Sequence, residues 1–506
     1  MTSEGRTSAR LTLNTGFHVG PIDQRIFGGF LEHLGRAVYG GVYDPKSPRS
    51  DERGFRRDVL EALRRMRMPL VRYPGGNYVS AYDWKDTVGP RAARPRRPDY
   101  AWQSVESNQF GIGEFMTWCE ALGTSPFLAV NLGTGDAASA GQLVEYCNLP
   151  SGTFYSDLRV QHGQASPYAV KLWGLGNELD GPWQAGHVPA EVYARRAFQA
   201  SFLMKQLDSN IETVAAGSSG RGMPTYLAWD REVLETCWDT IDYISAHRYS
   251  SNAAKDSAAY LAEGVEIDRI LADYAAVIGY VRGLKRSNKR VYLAFDEWNV
   301  WYRARHGEHT RGAWREAPPL LEEVYNLEDA LVCAQYLTAF LRRADLVKIA
   351  CLAQIVNVIA PVLTKRDALL LQSIYHPFVL FAGAAQGLSL TPRVEAPEYS
   401  AGTRGSVPVL DAAAAFDPES GLVSAFLVHR ERERPLTVEL RFDDRRVMGK
   451  ASAVVLGGGA VQLQNDWDTP DRIQPRDARV DQADMACRVE VPAPGLAVVQ
   501  IPTVPR

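Results

Sequence analysis

Two stretches decide the fold: Val170-Lys171-Leu172-Trp173-Gly174-Leu175-Gly176-Asn177-Glu178 and Val291-Tyr292-Leu293-Ala294-Phe295-Asp296-Glu297-Trp298-Asn299. Each is a short apolar run of the kind that forms a buried β-strand, and each ends on a glutamate with an asparagine close by. An α/β barrel carries its functional side chains at the carboxyl ends of its strands. The two stretches therefore predict a barrel with Glu178 and Glu297 on its functional rim.

The rest of the chain supplies six more apolar runs of strand length, separated by helical patterns with apolar positions three and four residues apart. The eight predicted strands are Arg25–Phe30, Pro69–Tyr73, Ser125–Asn131, Val170–Gly176, Thr213–Gly217, Tyr243–His247, Val291–Glu297 and Lys348–Val356. Eight parallel strands alternating with helices close into a (β/α)8 TIM barrel. The predicted fold class is thus α/β.

After about residue 385 the pattern changes to short runs that alternate apolar and polar residues, such as 422–428 and 436–442. This alternation predicts a C-terminal antiparallel β-sandwich, jelly-roll-like, of ordinary domain size. A similar alternation at 9–14 predicts an N-terminal strand that joins the sandwich. The predicted domains are therefore 1–18, the joining strand, 19–385, the catalytic barrel, and 386–506, the sandwich.

Composition excludes several classes of protein. The 506 residues carry a formal net charge of -3 with no basic stripe, which argues against a nucleic-acid partner. No apolar run approaches the roughly 18 residues of a membrane span, and no apolar segment follows the N-terminus, so we expect a cytoplasmic protein without membrane attachment. Six scattered cysteines predict free buried thiols, and neither they nor the nine histidines have metal-ligand spacing. No metal is predicted.

Polar residues follow each predicted strand and should converge on one rim. In chain order they are Glu32 and His33, Arg72 and Asn77, Asn131, Asn177 and Glu178, Ser218 and Ser219, His247 and Tyr249, Glu297 and Asn299, and Gln354 and Asn357. Because Asn and Ser are common in caps and turns, those structural roles are favoured for Asn131, Ser218 and Ser219. Carboxylates directly after apolar strands are not explained by stability alone.

Two carboxyl groups across a barrel rim are what glycoside hydrolysis needs, one to protonate the leaving oxygen and one to meet the anomeric carbon. We assign Glu178, after the fourth strand, as the acid/base and Glu297, after the seventh, as the nucleophile. Arg72, at the end of the second strand, is the leading candidate to keep the nucleophile ionised. We expect the carboxyl groups about 5 to 5.5 Å apart and therefore retention of configuration.

Further motifs indicate a family. Gly176-Asn177-Glu178 and Asp296-Glu297-Trp298-Asn299 resemble the signature of the retaining clan A glycoside hydrolases, and three more segments narrow the resemblance: Phe30-Leu31-Glu32-His33, Arg72-Tyr73-Pro74-Gly75-Gly76-Asn77 and Ala353-Gln354-Ile355-Val356-Asn357-Val358-Ile359-Ala360-Pro361. Together they are similar to the α-L-arabinofuranosidases of glycoside hydrolase family 51.

The resemblance implies exo-acting release of terminal non-reducing α-L-arabinofuranosyl residues from arabinose-containing oligosaccharides, without a cofactor. It implies that Glu32, Asn77, Asn177 and Gln354 hydrogen-bond the sugar hydroxyls and that His247 and Tyr249 lie near the catalytic pair, and it suggests a homo-oligomer, a hexamer. Trp102, beyond a Pro- and Arg-rich loop, is a candidate wall of the sugar site. The sequence departs from the family pattern at Arg248 and Ser107.

Two other functions remain open at this point. An endo-glucanase, a xylanase or a β-xylosidase could use the same retaining machinery, and the many tryptophans of the loops are compatible with an open cleft. A carbohydrate-binding protein could keep the barrel without turnover, although such a protein has no chemical need for both glutamates.

Overall fold

The computed structural model describes residues 7–302 and 311–506, and it contains the predicted barrel. Eight parallel strands, numbered here in chain order, close a barrel in which each strand pairs with its neighbours in the sequence. They are β1 (Gly28–Phe30), β2 (Leu70–Tyr73), β3 (Ser125–Val130), β4 (Leu172–Leu175), β5 (Glu212–Ala215), β6 (Tyr243–Ser250), β7 (Tyr292–Val300) and β8 (Val347–Ala353). The fold class and all eight predicted strands are confirmed.

Several strand ends differ from the prediction. The first predicted strand began at Arg25, but Gln24–Phe27 form a turn of 3-10 helix because the carboxylate of Asp23 caps the Arg25 N–H. β6 and β7 run three residues beyond their predicted ends, with His247 paired to Glu297 and an irregularity between Ser245 and His247. Such bulges redirect side chains beside active sites.

Ten helices are described, and most of them surround the barrel. They are α1 (Arg57–Arg65), α2 (Ile112–Leu122), α3 (Ala137–Asn148), α4 (Phe154–Gln161), α5 (Ala190–Leu207), α6 (Ala228–Cys237), α7 (Ser257–Tyr260), α8 (Glu263–Lys285), α9 (Leu327–Arg342) and α10 (Tyr375–Ala384). Within the described ranges, none of these helices combines the length and the apolar character that crossing a bilayer requires. All six cysteines are buried free thiols, as predicted.

The C-terminal region forms two stacked sheets. One contains, in order, Arg393–Glu395, Thr7–Leu13, Leu436–Phe442, Ala486–Val491 and Val480–Ala483; the other contains His18–Pro21, Leu388–Leu390, Leu410–Asp417, Leu422–His429, Gly495–Pro505, Ser452–Gly457 and Arg476–Ala478, with Arg445–Val447 also pairing with Gly495–Pro505. Leu11, Val438, Ala414 and Val499 meet in the apolar layer between them. Thr7–Leu13 pairs in parallel with Leu436–Phe442 and antiparallel with Arg393–Glu395.

Three short hairpins complete the described strands: Arg97–Asp99 with Ser104–Glu106, Val362–Thr364 with Leu369–Leu371, and Glu398–Ser400 with Ser406–Pro408.

The second sheet also packs against the barrel. Its outer face contributes Phe426, whose ring lies 4.5 Å from that of Phe381 on α10, and Arg342 of α9 forms an ion pair with Asp411. We propose that the chain is organised as a joining strand at 1–18, the barrel at 19–385 and the sandwich at 386–506. The strand His18–Pro21 lies across the first boundary, and residues 1–6 are outside the described ranges.

Candidate active site

The two glutamates face each other at the carboxyl ends of the barrel strands. Glu178 follows β4 and Glu297 lies within β7, and both are largely buried. One carboxylate oxygen of each and one ring nitrogen of His247, from β6, all lie within 4.8 Å of one another. The structure thus brings the two carboxyl groups close together at one rim of the barrel.

Glu297 receives a hydrogen bond on each carboxylate oxygen. Arg72 Nη1, at the end of β2, donates to Oε1 at 2.7 Å, and the Tyr249 hydroxyl donates to Oε2 at 2.8 Å. Arg72 lies 4.6 Å from the centre of the Phe30 ring, which packs beneath it. Burial raises the pKa of Glu297 above its ordinary value, although His247 and Arg72 act to lower it. The two hydrogen-bond donors, Arg72 and Tyr249, stabilise the ionised form of the carboxylate.

His247 bridges two acidic side chains. Its Nδ1 lies 2.8 Å from Glu178 Oε1 and its Nε2 lies 3.1 Å from Asp296 Oδ1. Burial opposes the charged ring, but the surrounding carboxylates outweigh it and raise the His247 pKa well above the ordinary value. Burial likewise opposes ionisation of Asp296, yet Arg72 and His247 lower its pKa. An imidazolium therefore donates to both acids.

The backbone turns sharply to present Glu178. Gly176 has φ 81° and Glu178 itself has φ 45°, the left-handed region that costs a non-glycine residue of order 1 kcal/mol. The indole N–H of Trp183, five residues on, donates to Glu178 Oε2 at 2.8 Å. A strained backbone and a dedicated donor fix the direction of this carboxyl group. This contact of Trp183 could not be predicted, because a tryptophan in a loop has no local sequence signal for it.

The Glu32 carboxylate is hydrogen-bonded to three separate segments of the chain around the site. Its carboxylate accepts hydrogen bonds from the Tyr78 N–H at 2.9 Å, from Trp102 Nε1 at 3.1 Å and from Gln354 Nε2 at 3.2 Å. Gln354 Oε1 in return accepts the Glu32 N–H at 2.8 Å. Burial raises the pKa of Glu32 to about 8. Two of the side chains predicted to bind sugar hydroxyls, Glu32 and Gln354, are thus hydrogen-bonded to each other and to Trp102.

The loop after β2 approaches both carboxylates closely. A Cβ atom on Gly75 would lie 2.8 Å from Glu32 Cγ, and one on Gly76 would lie 2.9 Å from Glu297 Oε1. Only glycine fits these distances without displacing a functional side chain. The pair of glycines after the strand is visible in the sequence, but no separate role was predicted for it.

The carboxylates open into a cavity of about 480 Å3. Seven predicted site residues line it: Glu32, Asn77, Trp102, Glu178, Tyr249, Glu297 and Gln354. Its wall also includes the aromatic residues Tyr100, Trp183 and Trp301. The cavity is therefore lined by both hydrogen-bonding and aromatic side chains, which suits a sugar ring.

The three remaining predicted residues, Arg72, Asn177 and His247, lie behind the carboxylates instead of lining the cavity. Asn177 Oδ1 accepts from Arg72 Nη2 at 2.7 Å, while its buried Nδ2 has no hydrogen-bond partner among the described residues. Such an amide N–H is available to a bound hydroxyl group. The departure at Arg248 also lies outside the cavity wall, since its side chain pairs with Glu263.

Asn131 and Ser218, for which structural roles were predicted, have such roles in the structure. Asn131 Oδ1 caps a turn by accepting the N–H groups of Gly133 and Thr134 at 2.9 and 3.1 Å, and the Ser218 hydroxyl donates to Asp230. The Ser219 N–H donates to Asp180, which lies two residues after Glu178.

Glu178, His247 and Glu297 are also residue types that bind metal ions. Their atoms are already engaged, however: Arg72 and Tyr249 donate to Glu297, and His247 bridges two carboxylates. A guanidinium 2.7 Å from a ligand oxygen also repels a cation. The arrangement therefore suits proton transfer and covalent chemistry.

Comparison with known proteins agrees with this geometry. The model of an α-L-arabinofuranosidase 1 domain matches residues 62–264, and that of an α-L-arabinofuranosidase C-terminal domain matches residues 296–494. An intracellular exo-α-(1→5)-L-arabinofuranosidase of Halalkalibacterium halodurans is 44% identical over 85% of this chain and 87% of its own length.

Solved structures give the same result. A family 51 α-L-arabinofuranosidase from Bifidobacterium longum superposes with a TM-score of 0.93 at 34% identity, covering 98% of this chain and 99% of that one. An α-L-arabinofuranosidase from Thermotoga maritima, solved as an arabinose complex, superposes with a TM-score of 0.87 at 33% identity, covering 99% and 100%.

Proposed function

Because this chain belongs to the family 51 α-L-arabinofuranosidases, we propose that Glu297 is its nucleophile and Glu178 its acid/base, in a double displacement that retains configuration. The chain is an exo-acting α-L-arabinofuranosidase. The proposed reaction releases terminal non-reducing α-L-arabinofuranosyl residues from arabinose-containing oligosaccharides. It needs no cofactor, since protons and a carboxylate supply all the chemistry.

One observation carries the assignment of roles: the two glutamates have opposed environments. Glu297 accepts charge-stabilising hydrogen bonds from Arg72 and Tyr249 on its two oxygens, which suits an ionised nucleophile. Glu178 instead meets the Trp183 indole and His247. Their approach to within 4.8 Å supports a covalent mechanism, which requires carboxyl groups about 5 Å apart.

Charge balance supports a proton on the acid/base. Among the described residues, the carboxyl groups of Glu32, Glu178, Asp296 and Glu297 are buried close to one another, with the cations Arg72 and His247 between them. Burying unpaired negative charge is costly, so the site retains protons at neutral pH. Glu32 takes one, since its pKa is about 8. Glu178, whose carboxyl oxygens meet the Trp183 indole and His247, is the proposed holder of the proton given to the leaving oxygen.

The cavity supports an exo mode of action. Glu32, Asn77 and Gln354 offer donors and acceptors at its base, and Trp102 forms part of the wall. We propose that these groups, with Asn177 from behind, bind the hydroxyls of the arabinofuranosyl ring. Family membership sets aside the endo-glucanase, xylanase and β-xylosidase alternatives, and the donors around both glutamates argue against a protein that only binds carbohydrate.

The substrate assignment is tested by hydrolysis of p-nitrophenyl α-L-arabinofuranoside beside the β-D-xylopyranoside and the β-D-glucopyranoside. We expect the arabinofuranoside to be cleaved with the highest kcat/KM by a wide margin. Faster cleavage of the xylopyranoside would overturn the assignment. Arabinose release from short arabino-oligosaccharides and from polymeric arabinan then determines the preferred length of substrate.

We also propose a cytoplasmic location and a homo-oligomer, a hexamer. The cytoplasmic location is supported by a relative that is named as an intracellular enzyme. Exposed apolar side chains on α5, Phe198, Phe202, Leu203 and Leu207, support self-association. Sedimentation velocity should give a single species of about six chains, and a monomer at micromolar concentration would contradict the proposal.

Substitution Gly76→Ala should lower kcat by about tenfold or more. The added methyl would lie 2.9 Å from Glu297 Oε1, so either the loop or the carboxylate must move, and a misplacement of about 1 Å costs up to about 100-fold. Steady-state kinetics on the aryl arabinofuranoside measure the effect. Gly279→Ala on α8, where a Cβ meets no atom within 4 Å, is the matched control and should keep wild-type kcat.

Substitution Glu32→Gln should flatten the dependence of Tm on pH. The pKa of about 8 in the folded chain lies above the ordinary value near 4.5, so this group contributes stability at low pH that is lost as pH rises through 8. The wild-type Tm should fall between pH 5 and pH 8 by about 3 °C more than that of the variant. Scanning calorimetry measures both, with exposed Glu61→Gln as control; equal slopes would contradict the prediction.

A further inference from the structure

The end of β6 presents different residues to its two sides. His247 and Tyr249 reach the catalytic carboxylates, and the Tyr249 hydroxyl lies 2.8 Å from Glu297 Oε2. Side chains alternate along a strand, so Arg248 and Ser250 project to the opposite face. The position of Tyr249 therefore depends on what holds its two neighbours.

Both neighbours bind the same carboxylate oxygen. Glu263, the first residue of α8, is 2% exposed. Its Oε1 accepts from Arg248 Nε at 3.1 Å and from the Ser250 hydroxyl at 2.7 Å. The Tyr336 hydroxyl adds a bond to Ser250 Oγ at 2.7 Å. Glu263 thus binds the strand through the two residues that flank Tyr249.

The second oxygen of Glu263 is bound from the C-terminal domain. Arg404 lies in the turn between the strands Glu398–Ser400 and Ser406–Pro408, and its Nη2 donates to Glu263 Oε2. Its Nε donates to the Ala259 carbonyl at 2.9 Å, at the end of the barrel segment that leads into α8. A buried carboxylate between two guanidinium groups is strongly oriented, and removing one partner leaves the remaining charge poorly compensated.

We propose that Glu263, held by Arg404 of the C-terminal domain, is a positioning residue that fixes the end of β6 through Arg248 and Ser250 and thereby the hydrogen bond from Tyr249 to Glu297. The proposal rests on the proposed role of Glu297 as nucleophile. It gives the C-terminal domain a part in catalysis although the domain contributes no described residue to the cavity wall.

The test is the pH profile of kcat/KM for p-nitrophenyl α-L-arabinofuranoside. The charged and titratable groups around Glu297 come from five strands or their ends: Glu32, Arg72, Glu178, His247, Tyr249 and Asp296. Losing a donor to an ionised carboxylate raises its pKa, so the acidic limb of the profile should move to higher pH. Tyr249→Phe sets the size of this shift for complete loss of the bond.

Arg404→Ala should shift the acidic limb in the same direction as Tyr249→Phe, with kcat about fivefold lower and KM within about twofold of the wild-type value. Arg404→Lys, which keeps a cation beside Glu263, should return the limb toward the wild-type pH. Arg342→Ala is the matched control: it breaks another ion pair between barrel and sandwich, with Asp411, and its side chain is exposed to a similar degree. It should lower Tm without moving the limb.

If the acidic limb of the Arg404→Ala profile stays at the wild-type pH while that of Tyr249→Phe moves, the positioning role is overturned and the proposed function is left intact. If Glu297→Ala keeps its activity, the proposed function itself fails. Should Arg404→Ala not fold, Ser250→Ala removes one hydroxyl from the same carboxylate oxygen. Its limb should move in the same direction by a smaller amount, and an unmoved limb again overturns the proposal.

Discussion

Glu297→Ala should lose at least about 10^4 of kcat/KM on p-nitrophenyl α-L-arabinofuranoside, because removal of a covalent nucleophile abolishes the two-step pathway. The space left by the side chain lies beside Arg72 Nη1 and the Tyr249 hydroxyl, which both lose the Glu297 oxygen to which they donate. Azide can enter this space and attack the anomeric carbon directly, so we expect partial recovery of rate with a β-configured, inverted glycosyl azide.

Loss of activity must be separated from loss of fold. Glu297 is buried, and its removal leaves Arg72 without one of its two ion-pair partners, so Tm should decrease. Activity measured well below Tm, with exposed Glu61→Ala as a matched control, isolates the chemical effect. Wild-type-like turnover in Glu297→Ala, or an azide product of retained configuration from it, would contradict its role as nucleophile.

The placing of Glu178 and Glu297 at one rim of the barrel could be predicted from the sequence because its signals are local. An apolar run of strand length and a glutamate at its end are visible in Val170–Glu178 and in Val291–Glu297, and the alternation of strands with helices gives the barrel. Counting strands then places the fourth and the seventh across the rim from each other. No knowledge of distant contacts is needed for these steps.

The rest of the site depends on contacts between residues far apart in the chain. Nothing around Glu263 in the sequence indicates that it binds Arg248 and Arg404, which are 15 and 141 residues away. The closeness of Gly76 to Glu297 and the bridging of Glu178 and Asp296 by His247 likewise follow from barrel closure. The wrong start of the first strand has a different cause, since the Asp23 cap competes with strand formation over only a few residues.

Glu178→Ala should behave differently from Glu297→Ala, and the difference tests the division of roles. Without an acid/base, departure of a good leaving group such as nitrophenolate is slowed little, whereas hydrolysis of the glycosyl-enzyme loses its general base. We therefore expect kcat on the nitrophenyl substrate to fall by about 10^2 to 10^4, KM to fall with it, and a covalent arabinosyl-enzyme to accumulate. Intact-protein mass spectrometry detects that adduct.

Azide should restore much of the lost rate in Glu178→Ala, because an anionic nucleophile needs no base and the missing carboxylate no longer repels it. Azide attacks the same face from which water would come, so the product is the α-L-arabinofuranosyl azide, of retained configuration. The basic limb of the kcat/KM profile should also disappear, since the group whose deprotonation produces it is gone. An inverted azide product, or a basic limb unchanged from the wild type, would exclude Glu178 as the acid/base and direct attention to Asp180, a buried neighbour whose pKa is raised to about 6.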